Sequence, residues 1–178
     1  MAALECRAHL NEIKRALAKD ALGCLVLLLA FAILAFVFFD GNAVGPSRAH
    51  TTAEMLTTPY FVDAIVTSPL LETPVLALMV SLIAALAGIV AQRPRAFQIA
   101  IVISAILFAL MHVTIRLGYG VMTVWPAYVM AGLYAKFAQS ASPMQGLCLA
   151  TIVHSIHNCV AFTIMYLLQQ LSIYVQPS

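Results

Sequence analysis

The chain has 178 residues, 63% of them hydrophobic and 9% charged, with a formal net charge of +2 and a mean hydropathy of +0.98. A soluble domain carries about 25% charged residues, so the composition excludes an ordinary soluble protein and points to an integral membrane protein. The length fits one domain with no room for a soluble domain beside a helix bundle, and no basic, aromatic-rich stretch invites nucleic acid.

Residues 3–19 carry Leu4, Leu10, Ile13 and Leu17 among Arg7, Glu12, Lys14, Arg15 and Lys19. The apolar set recurs at helical spacing. It reads as an amphipathic helix on the membrane surface, or as a solvated helix leading into the membrane. A cleaved signal peptide fits less well, because the charged stretch is long and the apolar run behind it extended. Residues 1–20 are therefore set apart as an N-terminal amphipathic helix, and 21–178 as a single transmembrane bundle.

Ala21 to Phe39 is unbroken apolar sequence, about the length a spanning helix needs, and it ends at Asp40-Gly41-Asn42. The loop 41–52 holds Gly45, Pro46 and Ser47, and residues 53–67 are mixed. A second span is expected over 68–91. Ser68-Pro69 or Thr73-Pro74 would open it, because Pro is tolerated in a first helical turn. Either start leaves Glu72 within about one turn of a helix N-terminus. A third span is expected over 96–115, and a fourth over 121–138 with a kink at Pro126. The fifth, over 145–171, is long enough to tilt. The fold class expected is all-α: a polytopic bundle of about five spanning helices preceded by the surface helix.

Lys and Arg set the orientation. A cytoplasmic N-terminus puts Arg7, Lys14, Arg15, Lys19, Arg93, Arg95 and Lys136 on the cytoplasmic side and only Arg48 and Arg116 opposite. This predicts N-in, C-out, in a bacterial inner or plasma membrane. Glu72 and His112 then fall at matched depth, each about 6 Å from the outer face at 1.5 Å per residue. His154 and Asn158 are expected deeper.

Ionisable groups inside apolar runs need a partner or a task. His154 and Asn158 are one helical turn apart on one face, and His157 points nearly the same way. A carboxylate beside an imidazole holds and deprotonates water; a second imidazole and an amide N–H donate to a developing oxyanion. Glu72, His112, His154 and Asn158 are thus the parts of a peptide hydrolase with no covalent intermediate, expected to converge on one polar cavity open toward the outer leaflet. The bland reading of each residue alone is an interhelical hydrogen bond, or for Glu72 a wetted cap. His157 is left as a helper or packing residue. The four cysteines, Cys6, Cys24, Cys148 and Cys159, contain no CxxC and read as small buried hydrophobes.

Phe108-Ala-Leu-Met-His112 and His154-Ser-Ile-His-Asn158 fit the Phe-x-x-x-His and His-x-x-x-Asn motifs of the CPBP intramembrane proteases, which include CAAX prenyl proteases and Abi relatives. The family's first motif, Glu-Glu-x-x-x-Arg, is half present at Ser68-Pro-Leu-Leu-Glu72-Thr73-Pro-Val-Leu-Ala77, with Thr73 for the second Glu and Ala77 for the Arg. The chain resembles that family over residues 60–170. The missing anion and cation vanish as a pair and leave no lone buried charge. The resemblance implies a glutamate-type endopeptidase in which Glu72 and His112 activate water and His154 and Asn158 stabilise the oxyanion, with no cofactor. It does not carry CAAX processing over. The expected substrate is a membrane-anchored protein or peptide cut near the outer face.

Two other readings stay open. His112, His154, His157 and Glu72 would serve as zinc ligands of a metal-dependent membrane protease, or two of the histidines would hold haem. Alternatively, the chain is a non-catalytic binding or immunity protein.

Overall fold

A computed structural model describes residues 2–39, 62–113 and 117–175. The loop 41–52, Arg48 and Arg116 lie outside the described residues. All the regular structure described is helical: α1 (Ala2–Phe39), a π-helical turn (Asp63–Thr67) running into α2 (Ser68–Ala87), α3 (Arg93–Val113), α4 (Leu117–Ser140) and α5 (Pro143–Val175).

The N-terminal segment and the first apolar run form one unbroken helix. No Pro interrupts residues 2–39, and the single Gly, Gly23, stands in a sequence dominated by Ala and Leu, both strong helix formers. The boundary drawn at residue 20 is therefore no break in the backbone. α1 packs on α4 well before that point. The His9 ring meets Phe137 edge-on at 5.6 Å, and Ala16 is buried with Ile13 and Leu17 against it. Lys136 Nζ reaches Glu12 Oε2 at 2.6 Å. Higher up, the Trp125 indole N–H donates to Lys19 O at 2.8 Å. The indole lies where a side chain on Gly23 would stand: a Cβ there would be 1.8 Å from Trp125 Nε1.

α4 is the central helix and touches every other one. Ala127, Ala131 and Ala135 are fully or nearly buried, as are Met130 and Tyr134. Small residues let its neighbours close in. Tyr134 Oη shares a hydrogen bond with Ser81 Oγ of α2 at 2.7 Å.

α2 and α3 are antiparallel neighbours joined by residues 88–92, and α5 returns along α2 and α4. Asp63–Ala87, Arg93–His112 and Pro143–Ile164 are each long and apolar enough to cross a membrane. Their outer faces are apolar too: Leu71, Leu78, Leu82 and Leu86 of α2 and Val102 and Leu110 of α3 are exposed. A bundle apolar inside and outside is what lipid contact requires and water does not favour. Three such helices are consistent with an integral membrane protein.

The start of α2 differs from the sequence expectation. Thr67 is already in the αR conformation (φ −67°, ψ −48°), and the π-helical turn continues the helix back to Asp63. Glu72 therefore stands more than two turns into continuous helix. Pro74 lies inside it, where the missing N–H leaves one backbone carbonyl without its usual partner.

Candidate functional site

Three helices meet at Glu72. Its Oε2 lies 3.7 Å from His112 Nε2, at the C-terminal end of α3, and 3.7 Å from His154 Nε2 on α5. The antiparallel α2–α3 pair places the start of one beside the end of the other, which brings Glu72 and His112 together. His154, near the middle of the apolar stretch Pro143–Ile164, reaches the same carboxylate oxygen.

Each side chain is held from behind. Ser68 Oγ donates to Glu72 Oε1 at 2.5 Å, one turn back on α2. His112 Nδ1 lies 2.8 Å from Phe108 O. A carbonyl only accepts, so Nδ1 carries the proton. In the neutral ring, Nε2 then turns its lone pair toward Glu72. The Phe108 ring packs on that imidazole with centroids 4.8 Å apart. The Phe-x-x-x-His spacing thus supplies both the carbonyl and the ring that orient His112. His154 Nδ1 pairs with Thr73 Oγ1 at 3.0 Å, and both residues are buried. The Glu72 side chain is more open, with 34% of its surface exposed.

Asn158 lies one turn beyond His154. Its Nδ2 donates to Ala64 O at 2.8 Å, within the π-helical turn that leads into α2. One of its two amide hydrogens is so engaged. π-helical turns leave backbone carbonyls off the α-helical ladder, and Asn158 satisfies one of them. His157 turns to another partner: Nδ1 pairs with Asp20 Oδ2 of α1 at 2.5 Å. The expected constellation therefore divides. Glu72, His112 and His154 share one point, Asn158 braces the approach to α2, and His157 joins α1.

A groove of about 540 Å³ lies toward the other end of α2, lined by Ser81, Gly88, Arg93 and Tyr134 among others. Glu72 does not line it.

Sequence reasoning misses Thr73 and Ser68 as partners and Asp20 altogether. Ser68 and Glu72 are four apart, a spacing that itself signals a helical pair once the helix is known to begin earlier. Thr73 registers only as a substitution, although a hydroxyl beside a buried imidazole is a donor or acceptor in waiting. Asp20 and Cys24 have the same four-residue spacing as His154 and Asn158.

Fold and site together define an all-helical protein with three helices apolar enough to cross a membrane, and a Glu–His–His cluster where they meet. No protein-family model, curated protein or solved structure matches the chain.

Proposed function

We propose that the chain is a glutamate-type intramembrane endopeptidase. It cuts a membrane-anchored protein or peptide near the outer membrane face, in a five-span bundle with its N-terminus in the cytoplasm. The observation that carries this reading is the equal 3.7 Å separation of Glu72 Oε2 from the Nε2 atoms of His112 and His154. That gap is just beyond a direct hydrogen bond, and a small widening lets one water enter between the groups.

The carboxylate and the neutral His112 Nε2 are both acceptors. A water between them donates one hydrogen to each and keeps its oxygen lone pairs free. As that oxygen attacks the peptide carbonyl carbon, Glu72 takes its proton. The π electrons of the carbonyl move onto its oxygen. His154 Nε2–H, with Nδ1 accepting from the Thr73 hydroxyl, donates to that oxyanion. Asn158 adds its second amide N–H. Collapse of the tetrahedral intermediate breaks the C–N bond, and Glu72 returns its proton to the leaving amine. Water is consumed and the carboxylate is restored.

The resemblance to the CPBP proteases fits this scheme residue by residue at Glu72, Phe108, His112, His154 and Asn158. Thr73, where that family has its second Glu, supplies an oxygen to His154. Ala77, where it has Arg, is buried in the core. An uncharged pair can so replace a charged one without leaving a charge unpaired. The pairing of His157 with Asp20 takes it out of a zinc set with Glu72, His112 and His154, and the metal reading then rests on those three residues, which a chelator test decides. The test is the membrane proteome of cells carrying the intact chain against Glu72→Gln: a protein processed only with the intact chain supports peptide hydrolysis, and identical proteomes favour a binding protein.

A further inference from the structure

Asp20, Cys24 and His157 form a second cluster, on α1 and α5. Asp20 is 4% exposed. Its Oδ2 lies 2.5 Å from His157 Nδ1, and the Cys24 thiol donates to Oδ1 at 3.6 Å. The three donor atoms all lie within 4.8 Å of one another. Asp20 and Cys24 are four apart on one face of α1, the spacing by which a single helix offers two ligands to one ion, with a third from a neighbouring helix. The Trp125–Lys19 hydrogen bond fixes α1 one residue before Asp20.

The geometry points to a binding site for a divalent transition-metal ion of the zinc class, clamping α1 to α5 through Asp20, Cys24 and His157. A clasp between two helices needs only the aspartate and the histidine. The thiol aimed at the same carboxylate makes the set one of oxygen, sulfur and nitrogen. Sulfur and imidazole disfavour magnesium and calcium and suit zinc or cobalt. Ligand distances of about 2.0–2.3 Å in a tetrahedral site put donors roughly 3.3–3.7 Å apart. Asp20 Oδ2 and His157 Nδ1 therefore part by about 1 Å as the ion enters, and the fourth position is left for water. The charges balance: a carboxylate and a thiolate offset the dication inside a low-dielectric bundle. Cys24 gives up its thiol proton, one per ion bound, and a neutral His157 moves its ring proton from Nδ1 to Nε2. His157 is one turn from His154, so the clamp also sets the rotation of α5 at the Glu72 site. The inference does not depend on the proteolytic reading.

The test is titration of the purified, metal-free full chain in detergent with cobalt(II), followed by displacement with zinc. Expected are one cobalt per chain and a near-ultraviolet thiolate-to-cobalt absorption. Removing a partner outside the first ligand sphere weakens metal sites about 10–100-fold, so removing a ligand should cost at least as much. Cys24→Ser should abolish the absorption, and Asp20→Asn should raise the Kd for cobalt at least about tenfold. Glu72→Gln should leave both unchanged. Triple replacement of Cys6, Cys148 and Cys159 by Ser should keep the absorption, which assigns it to Cys24 without disturbing the site. Absence of stoichiometric cobalt, absorption that vanishes in the triple variant, or binding lost in Glu72→Gln would overturn the proposal.

Discussion

Thr73 and His154, 81 positions apart, are joined by a 3.0 Å hydrogen bond between Oγ1 and Nδ1 in the buried centre of the bundle. The bond couples the helix that carries Glu72 to the helix that supplies the second imidazole. It also selects which nitrogen of His154 faces the carboxylate. Thr73→Val keeps the shape and removes the hydroxyl. The buried Nδ1 is then left unpaired, at a cost of about 1–3 kcal/mol, measured as a loss of thermal or denaturant stability in detergent. Thr73→Ser should recover most of it. Equal stability of the wild type and Thr73→Val would show that the pairing contributes nothing.

Asn158→Ala removes both the bond to Ala64 O and the proposed oxyanion donor. Turnover should fall about 10²–10³-fold, the usual cost of one such donor, with KM little changed. His112→Ala should be more severe, because the water loses one of its two acceptors. Steady-state kinetics on one substrate separates the two. An Asn158→Ala effect confined to KM would remove the oxyanion role and leave only the brace on the π-helical turn.

Gly23 is a close-approach glycine. A methyl group there meets the Trp125 indole, and the indole must shift and release Lys19 O. Gly23→Ala gains in helix propensity but overpacks the contact, which typically costs about 1–3 kcal/mol. Trp fluorescence should report the displaced ring. A more stable Gly23→Ala with unchanged fluorescence would contradict the packing described.

Glu12 lies outside the apolar helices and is held below its usual value of 4.5, chiefly by its hydrogen bond to Lys136. A lowered folded pKa contributes stability above the unfolded value, and that contribution is lost as pH falls through the folded one. The pair is partly exposed, so the effect is small. Stability measured from neutral pH downward should decline below about pH 4.5, and the decline should be shallower in Glu12→Gln. Parallel curves would mean that the Glu12–Lys136 pair does not couple to folding.

The helices are legible in the sequence because their apolar runs are long and punctuated by Arg93-Pro94 and Ser142-Pro143. The meeting of Glu72 with His112 is legible too, because an antiparallel pair fixes relative depth by counting residues. The approach of His154 to the same oxygen is not, because α5 is long and counting from its ends does not fix its register. The true start of α2 is hidden because Pro69 and Pro74 both imitate a first turn, whereas the chain enters through a π-helical turn that Asn158 supports. Asp20 stands at the junction of a charged stretch and an apolar run, where an exposed aspartate is the ordinary expectation. Only the packing of α1 along α4 carries it inside, opposite His157.

The most direct measurement is the cleavage rate of the wild type against Glu72→Gln on one purified membrane-anchored substrate. Both are placed in a Cys24→Ser background with chelator present, so that the second site cannot hold an ion. The amide keeps the shape of the carboxylate but cannot take a proton from water, so Glu72→Gln should lose essentially all activity while folding intact, and chelator should not slow the Glu72 chain. Full activity in Glu72→Gln would contradict the glutamate mechanism. Activity of the Glu72 chain lost with chelator and restored by zinc would give the site to a metal.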